Sequence, residues 1–389
     1  MENFNFYCPT RIHFGAGRLD DVGEIAAKYG NICMLVTTTK NEKVLQPLFN
    51  RAIDILEKAR MKVIHFDGAV PNPTVQSIER GIEIVKKEKV EVIIALGGGS
   101  SIDTAKAISL FHGLDKIKWK DVYGKYDSPF KEYKPISKKI LPLISIPTTS
   151  GTGSELTQAM IISDENTKEK LCIFHDKVFP LECIIDSQLT QTLPRKLTCI
   201  TGFDAFCHAF ESFVRKEASI YTQTIGLKAM ELIINTLLKV LDYPENEEYR
   251  DLLSQAEMFA GISLANAAAT IPHPLSEIIG GIAPNIAHGQ ALICLYPGFL
   301  EYQINITPEK CAQVSRLFDS ELNSVSDEVA ASKLPNLMRD FISHFSMETS
   351  LRKLGVKEEN LILMETHNTL KFLPFASEAD LKKIMRSAF

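Results

Sequence analysis

The chain has 389 residues, of which 45% are hydrophobic and 23% are charged. A chain of this length is too long for one ordinary hydrophobic core, so we expect two domains. The composition is that of a folded globular protein rather than a disordered one. The formal net charge of -5, with no long basic block, argues against nucleic acid and against an anionic membrane surface as partners.

The amino-terminal residues and the cysteines indicate a cellular compartment. Residues 1–9 lack the basic start and apolar stretch of a signal peptide, and no run approaches the ~18 apolar residues that span a bilayer. The eight cysteines are widely spaced, and none belongs to a CxxC pair. This spread is typical of reduced thiols, so the sequence predicts a cytoplasmic protein.

The first part of the chain alternates short apolar runs with segments of helical periodicity. Near-continuous apolar runs are typical of parallel strands that are covered on both faces. The alternation therefore predicts βαβ units and a doubly wound sheet. The predicted strands are Asn31–Thr37, Lys62–Phe66 and Val90–Leu96, and the predicted helices are Val44–Ala59, Val75–Lys87 and Ile102–Leu110.

The second part of the chain changes character. Further strands are predicted at Leu141–Ile146 and Cys183–Ile185, and the polar segment Tyr126–Lys139 is predicted to be a surface excursion. Helical periodicity dominates from Leu197 onward, for example over 221–241 and 249–266. We therefore predict an α/β domain over residues 1–186 and an all-α domain over residues 187–389.

Three glycines follow the third predicted strand, in the loop Gly97-Gly98-Gly99-Ser100. Glycines let the backbone approach a ligand closely, and the free amides at the following helix start offer a site for phosphate. Asp103 lies in the first turn of that helix, where it could interact with the helix dipole or with a sugar hydroxyl. Because the loop is not a GxGxxG fingerprint, a turn that merely needs glycine is the alternative.

A second loop rich in hydroxyls, Pro147–Glu155, follows the strand predicted at 141–146. Its small polar residues, among them Thr148 and Thr149, suit hydrogen bonds to a nucleotide. An ordinary Ser/Thr/Gly turn is the alternative. Two such loops after two strands of one sheet favour a ligand, because open α/β sheets bind ligands at the carboxyl ends of their strands.

One carboxylate and three histidines have the composition of a metal site. Asp204 and His208 are four residues apart on a predicted helix, so they share a face, and His273 and His288 follow downstream. Together they would make a four-ligand site for Fe(II) or Zn(II) with room for a substrate oxygen. The alternative is a polar helix pair plus two unrelated loop histidines. Glu155 and Glu211 could be surface carboxylates.

Taken together, these segments resemble the iron-containing alcohol dehydrogenase family. The landmarks occur in the family's order, and the resemblance runs from about Tyr7 to the final helix. They are GGGSSID (Gly97–Asp103), PTTSGTGSE (Pro147–Glu155), GFDAFCHAFE (Gly202–Glu211), the His273 segment and AHG (Ala287–Gly289). The resemblance implies a dehydroquinate synthase-like architecture: a doubly wound dinucleotide-binding domain and a helical metal-binding domain, with the active site in the cleft between them.

The resemblance also implies roles for individual residues. Asp204, His208, His273 and His288 would be the metal ligands of a site that holds Fe(II) or Zn(II). The expected chemistry is hydride transfer between NAD or NADP and a metal-bound primary alcohol or aldehyde. The dinucleotide would contact Gly97, Gly98, Gly99, Ser100, Asp103, Thr148 and Thr149, with Lys170, or the nearby Lys168, beside the nicotinamide ribose.

Two positions depart from the family's pattern. Members that use NAD often carry an aspartate just after the first strand, where it repels a 2′-phosphate; Thr38 stands there in this chain, close to Lys40. This exchange favours NADP, although these residues could simply end the strand. Glu277 occupies the place of a second histidine found in many alcohol-active relatives. We expect it to alter proton transfer or to be a further polar neighbour of the metal.

Alternative functions stay open at this point. A polyol dehydrogenase of the glycerol type would use the same fold, and so would a dehydroquinate synthase-like cyclase, which would need a more basic pocket. A dinucleotide-binding protein without catalysis would need neither metal nor substrate. The resemblance further implies a homodimer, with a strand around Ile12–Phe14 as a contact.

Overall fold

The apolar runs of the first half form one six-stranded parallel sheet in the computed structural model, which describes residues 3–134, 136–137, 139–165 and 169–389. The sheet has the order β1-β8-β5-β4-β2-β3, and β6 and β7 form a separate antiparallel pair. The strands are β1 (Arg11–Phe14), β2 (Ile32–Val36), β3 (Lys62–Phe66), β4 (Val92–Gly97), β5 (Leu143–Pro147), β6 (Ala159–Asp164), β7 (Glu169–Phe174) and β8 (Glu182–Ile185). The accompanying helices are α1 (Val22–Ala27), α2 (Gln46–Lys58), α3 (Val75–Glu88), α4 (Gly99–Phe111) and α5 (Trp119–Lys125).

The strands at the centre of this sheet are buried on both faces. In β2, Met34 and Val36 pack into the hydrophobic cluster on one face of the sheet, whereas Cys33 and Leu35 pack into the cluster on the other face. Strand β4 alternates in the same way between these two clusters. Because successive side chains of a strand point to opposite faces, a continuous apolar run is what two-sided burial requires. The predicted doubly wound sheet is confirmed.

The strand order places a switch point between β2 and β4. From β2 the chain continues to β3 on one side, and from β4 it continues to β5 on the other side. In open α/β sheets the loops at the carboxyl ends of two such strands diverge and leave a crevice for a ligand. The loop after β2, which carries Thr38, and the loop after β4, which carries the glycines, both start at this edge.

The hairpin of β6 and β7 was not predicted from the sequence. Its two strands pair from Ala159 opposite Phe174 to Asp164 opposite Glu169. The connecting segment is rich in charged residues and looks like an exposed loop in the sequence. The excursion after α5 was predicted correctly, since its described residues form no helix or strand. It is nevertheless anchored, because Tyr126 is buried and packs its ring on Tyr133 and His175.

Beyond the sheet the chain is helical, as predicted, and the described residues from 194 to the end contain no strand. The helices are α6 (Arg195–Val214), α7 (Ile220–Asp242), α8 (Glu247–Ala267), α9 (Pro272–Ile282), α10 (His288–Gln303), α11 (Pro308–Phe318), α12 (Asp327–Ser343), α13 (Glu358–Glu365) and α14 (Glu378–Ser387). In the part of the chain that the structure describes, no helix combines the length and the apolar character needed to cross a membrane.

By its internal contacts the chain divides into two compact units. The α/β unit comprises Asn5–Leu193 and Pro244–Ser254. The helical unit comprises Pro194–Tyr243 and Gln255–Phe389, together with Asn3 and Phe4. The glycine loop belongs to the α/β unit, and the four candidate metal ligands belong to the helical unit. The domain boundary between residues 186 and 187 stays a prediction.

Candidate metal centre and dinucleotide loops

Helix α6 carries the first part of the candidate metal centre. Asp204, His208 and Glu211 follow one another at intervals of four and three residues, so they share one face of the helix. All three side chains are buried. A different face carries Phe203, Phe206 and Phe210, whose rings lie 5.3–6.1 Å from the ring of Tyr296 in α10. Packing of these aromatic rings fixes the orientation of α6 and hence the direction of its polar face.

Two further helices complete the centre at their amino-terminal ends. His273 lies in the first turn of α9, directly after Pro272, and His288 is the first residue of α10. The Nε2 atoms of His208, His273 and His288 lie 3.5, 3.4 and 3.6 Å from the same oxygen, Asp204 Oδ1. The structure thus brings together the four residues that the sequence singles out.

These distances fit a metal ion. A tetrahedral ion with nitrogen and oxygen ligands about 2.1 Å away separates those ligands by about 3.4 Å. The ligand atoms of Asp204, His273 and His288 all lie within 4.8 Å of one another, with His208 beside them. Asp204 Oδ1 and His273 Nε2 are buried, and neither has a hydrogen-bond partner among the described residues. Buried polar atoms normally have partners, so this donor set suits Fe(II) or Zn(II).

The electrostatics of the centre favour a cation. Burial alone would raise the pKa of Asp204, but the three histidines outweigh it and hold that pKa well below its usual range. Burial lowers the pKa of His273, but the carboxylates of Glu211 and Asp204 outweigh this effect and raise the pKa to about 10. A low-dielectric site with this much negative charge attracts positive charge, whether protons or a metal ion.

Glu211 supports the centre from outside the four ligands. Its carboxylate is fully buried and accepts hydrogen bonds from His273 Nδ1 at 2.8 Å and from the backbone amide of Thr270 at 2.8 Å. A carboxylate in this position orients a ligating imidazole and makes its other nitrogen more basic. The surface position allowed for Glu211 was therefore wrong. Its spacing from Asp204 and His208 is the sequence signal that identifies its role.

Glu277 lies beside the imidazole of His288. Its Oε1 is 3.5 Å from His288 Nδ1, the ring nitrogen opposite to the Nε2 atom that faces Asp204. Cys207, next to His208 in the sequence, is fully buried, and burial raises the pKa of its thiol well above its ordinary value. A thiol that stays protonated is a poor metal ligand, which agrees with an apolar packing role.

The glycine loop has the conformation that a close approach to a ligand requires. Gly97 has a φ of +154°, and a Cβ atom there would lie 2.4 Å from Ser101 Oγ. A Cβ on Gly99 would lie 2.9 Å from Thr152 Cγ2, and one on Gly98 would lie 3.1 Å from Thr149 Cγ2. Side chains other than hydrogen are therefore unfavourable at these positions. The loop ends at the start of α4, where Ser100 is half-buried and the first amides of the helix offer a phosphate site.

Threonine hydroxyls lie on both sides of the glycine loop. The amide of Thr148 donates to the carbonyl of Gly97 at 3.1 Å, which ties the loop after β5 to the loop after β4. The Oγ1 atoms of Thr38 and Thr149 are buried, and neither has a hydrogen-bond partner in the described part of the chain. Buried hydroxyls at the carboxyl edge of a sheet are suited to a ligand that supplies the missing partners.

Asp103 and Lys106 connect the two loops from within α4. The Asp103 carboxylate accepts hydrogen bonds from Ser154 Oγ and from the amide of Ile161, so protein donors already contact both of its oxygens. Lys106 is fully buried and donates to Ser154, Thr157 and Ala159. Lys106 could not be identified from the sequence, because a lysine on a helix normally lies at the surface.

Two other predicted positions have different outcomes. Glu155 is fully buried, so the surface position allowed for it was wrong. Lys170 is partly buried in β7, where it pairs with Ser163 of β6. Lys168, its alternative, lies outside the described residues.

Comparison with known proteins identifies the family. The family model for iron-containing alcohol dehydrogenases matches residues 9–187, and the model for the carboxy-terminal part of the Fe-containing alcohol dehydrogenase family matches residues 198–384. Choline dehydrogenase of Bacillus subtilis (strain 168) is 34% identical over 365 residues, which are 92% of this chain and 87% of that protein. NAD-dependent methanol dehydrogenase of Bacillus methanolicus is 28% identical and covers 92% of each chain. The crystal structure of an archaeal halo-thermophilic alcohol dehydrogenase from a Red Sea brine pool has a TM-score of 0.90 at 32% identity, with 100% of both chains covered.

A parallel sheet with a glycine loop at its switch point and a histidine-rich helical centre define a dinucleotide-linked, metal-type oxidoreductase. The chain belongs to the iron-containing alcohol dehydrogenase family. It is accordingly an NAD(P)-linked alcohol oxidoreductase, and both the family resemblance and the class of activity that the sequence predicts are confirmed.

Proposed function

We propose that this protein interconverts a primary alcohol and its aldehyde, with a divalent metal ion held by Asp204, His208, His273 and His288. The observation that carries the proposal is the convergence of three imidazole Nε2 atoms on Asp204 Oδ1 at 3.4–3.6 Å. Four such ligands would hold an Fe(II) or Zn(II) ion, and expansion to five-coordinate geometry would admit the substrate oxygen.

The bound groups would supply the bond-making chemistry: a metal ion would act as a Lewis acid on the substrate oxygen, and a nicotinamide would exchange the hydride. The chain's own residues hold these groups in place. Asp204 contributes the one negative charge among the four ligands. Glu211 holds the ring of His273 through Nδ1, which leaves Nε2 to face the ion. The packed aromatic face of α6 keeps the ligands from shifting.

Replacement of His208 or His273 by alanine tests the metal assignment. We expect loss of nearly all turnover and of bound metal, because each variant removes one ligand, while dinucleotide binding is retained. Metal content is measured by elemental analysis and turnover with butyraldehyde and NADPH or NADH, after anaerobic loading with Fe(II). His367→Ala, an exposed histidine, is the control. Full activity in the ligand variants would refute the assignment.

For the dinucleotide, we infer that Gly97, Gly98, Gly99 and Ser100 receive the diphosphate through the backbone at the start of α4. Thr38, Thr148 and Thr149 would line the nucleotide, because two of their hydroxyls are buried without a partner among the described residues. Asp103 would shape this loop from within, because protein donors contact both of its carboxylate oxygens. Lys170 is retained as the candidate for the nicotinamide ribose.

We further infer a preference for NADP over NAD. A neutral Thr38 follows β2 in place of an aspartate, and the ammonium of Lys40 lies 3.9 Å from Asp67, whose charge it partly compensates. The residues directly after β2, Thr37 to Lys40, therefore carry no carboxylate that would repel a 2′-phosphate. Thr38→Asp should lower the ratio of kcat/KM for NADPH to that for NADH at least about tenfold, because a carboxylate repels the phosphate and accepts from a ribose hydroxyl. An unchanged ratio would remove Thr38 from cofactor selection.

Monohydric alcohols and polyols are the two candidate classes of substrate, and the same turnover assay distinguishes them. Butyraldehyde reduction that disappears with a chelator supports the proposed class. Turnover with glycerol but not with butanol would favour the polyol dehydrogenase instead. Since choline and methanol name the activities of two relatives, both alcohols belong in the substrate panel.

We also infer a cytoplasmic homodimer. None of the eight cysteines, all of which lie in the described residues, forms a disulfide, and this suits a reducing compartment. Strand β1 lies at the edge of the sheet, next to β8, and an edge strand is a natural template for pairing with a second copy. Light scattering coupled to size-exclusion chromatography measures the mass, and a monomer would refute the dimer.

A further inference from the structure

Ser276 occupies a bridging position between two of the candidate metal ligands. It is buried in α9, one turn after His273, and its hydroxyl donates to the backbone carbonyl of His273 at 2.7 Å. The same oxygen lies 2.9 Å from Nδ1 of His288 in α10. One small side chain thus connects the helix that carries one ligand to the ring of the next ligand.

The number of hydrogen atoms on Ser276 Oγ decides which atom donates in its hydrogen bond with His288 Nδ1. A serine hydroxyl has one hydrogen atom, and a carbonyl oxygen can only accept. Since that hydrogen is given to the carbonyl of His273, Ser276 Oγ must accept from Nδ1–H of His288. A neutral imidazole that carries its hydrogen on Nδ1 has its lone pair on Nε2. Nε2 is the atom that lies 3.6 Å from Asp204 Oδ1.

Glu277 favours the same tautomer of His288, the one with its hydrogen on Nδ1. Its carboxylate oxygen lies 3.5 Å from the same Nδ1 atom, and an ionised carboxylate can only accept. His273 has the equivalent arrangement, in which Glu211 accepts from its Nδ1. Each of these two histidines therefore has acceptors on its Nδ1 side, which leaves Nε2 to bind a metal ion.

We infer that Ser276, backed by Glu277, is a positioning residue that fixes His288 in the tautomer and orientation needed for metal binding. The inference rests on the proposed function, since it concerns the same metal centre. It assigns Glu277 to the support of His288 rather than to proton transfer with the substrate. The competing explanation is that Ser276 only satisfies a helix carbonyl, as buried helical serines often do.

Cobalt(II) binding to the purified apoprotein tests this inference, because its absorption bands report both affinity and ligand geometry. Ser276→Ala removes the acceptor, so we expect Co(II) affinity, measured by competition with a chelator, to fall about 10- to 100-fold. The visible bands should also shift as His288 reorients. Ser276→Thr keeps the hydroxyl and should bind Co(II) within about threefold of the wild-type protein.

A matched control separates this effect from a general loss of stability. Ser315 in α11 is a fully buried serine whose hydroxyl likewise donates to a helix carbonyl, that of Cys311 at 3.1 Å. Ser315→Ala should leave Co(II) affinity and the spectrum unchanged. Glu277→Ala should weaken binding less than Ser276→Ala does, because its contact with Nδ1 is longer. The double variant should weaken binding more than either single change.

The outcomes distinguish the inference from the function on which it depends. Ser276→Ala with wild-type Co(II) affinity and an unchanged spectrum would overturn the positioning role. If Ser276→Ala fails to fold, Ser276→Val serves instead: it has the shape of Ser276→Thr but no acceptor, so affinity should again fall, and affinity equal to that of Ser276→Thr overturns the inference. Wild-type protein that binds no Co(II) would overturn the metal centre itself.

Discussion

At the scale of single residues, the candidate metal centre depends on one carboxylate oxygen. Three imidazole nitrogens face Asp204 Oδ1, and the carboxylate is buried. A buried carboxylate is costly unless positive charge compensates it. The histidines can supply that charge as protons, or a divalent cation can replace those protons. Folding of this region and metal binding should therefore be linked.

The first prediction concerns the carboxylate that holds His273. Glu211→Gln gives its two donors, His273 Nδ1–H and the amide of Thr270, only one carbonyl oxygen to share. The amide nitrogen of the new side chain would then face a donor inside the protein. We expect metal affinity to fall about 10- to 100-fold. The free energy of unfolding of the apoprotein should fall by about 1–3 kcal/mol.

Titration with Co(II) and urea unfolding of the apoprotein measure these two effects. Glu365→Gln is the control, because Glu365 pairs with the exposed Arg386, and we expect little change in the free energy of unfolding and none in metal affinity. A Glu211→Gln protein with wild-type affinity and stability would show that the carboxylate neither orients His273 nor satisfies Thr270.

At the scale of secondary-structure elements, the second prediction concerns the turn between β4 and α4. Gly99→Val would bring its side chain against Thr152, since even a Cβ atom would lie 2.9 Å from Thr152 Cγ2. The turn must shift, and its backbone then no longer fits a diphosphate. We expect the Kd of the dinucleotide to rise at least about tenfold, as for the loss of one charge-assisted contact. Calorimetric titration measures this change.

Gly124→Val in α5 is the matched control, because a Cβ there meets nothing within 4 Å. The candidate metal ligands belong to the other compact unit, so both variants should keep wild-type metal content. Unchanged dinucleotide affinity in Gly99→Val would mean that the loop after β4 does not receive the phosphates.

These elements also show what the sequence could predict. Strands such as β2 and β4 can be recognised in the sequence as apolar runs, because the sheet buries both of their faces. The hairpin of β6 and β7 is not visible in this way, since β6 is of mixed burial and a polar connection separates the two short strands. Spacing on one helix brought Asp204 and His208 together in the sequence. That His273 and His288 meet the same oxygen depends on the packing of three helices, which local periodicity does not encode.

Other parts of the site were not predictable for a physical reason. Lys106 and Glu155 are charged residues in full burial, against the usual preference of their residue types. Only the network that surrounds Lys106 makes its burial tolerable, and that network joins residues about fifty positions apart in the sequence. The role of Ser276 likewise depends on a contact between two helices.

At the scale of the whole molecule, buried thiols should make the fold sensitive to alkaline pH. Burial raises the pKa of four cysteines from 9.0 to about 12. They are Cys33, Cys199, Cys294 and Cys311. Above about pH 9 the unfolded chain releases these protons while the folded protein keeps them, so stability is lost as the pH rises toward 12. Each of these thiols should lower the free energy of unfolding by about 0.8 kcal/mol as the pH rises from about 8 to about 9.5.

Lys106 opposes this trend without cancelling it. Burial lowers its pKa from 10.5 to about 8, so between these values the unfolded chain binds the additional proton and stability rises with pH, by about 1.6 kcal/mol over the same interval. We therefore expect a net loss, seen as a lower urea midpoint at about pH 9.5 than at pH 8 in the presence of a reducing agent. Cys33→Ala should lose about 0.8 kcal/mol less than the wild-type protein over this interval, because it lacks one buried thiol. A midpoint that stays constant or rises would show that these thiols are not shielded from water in the folded state.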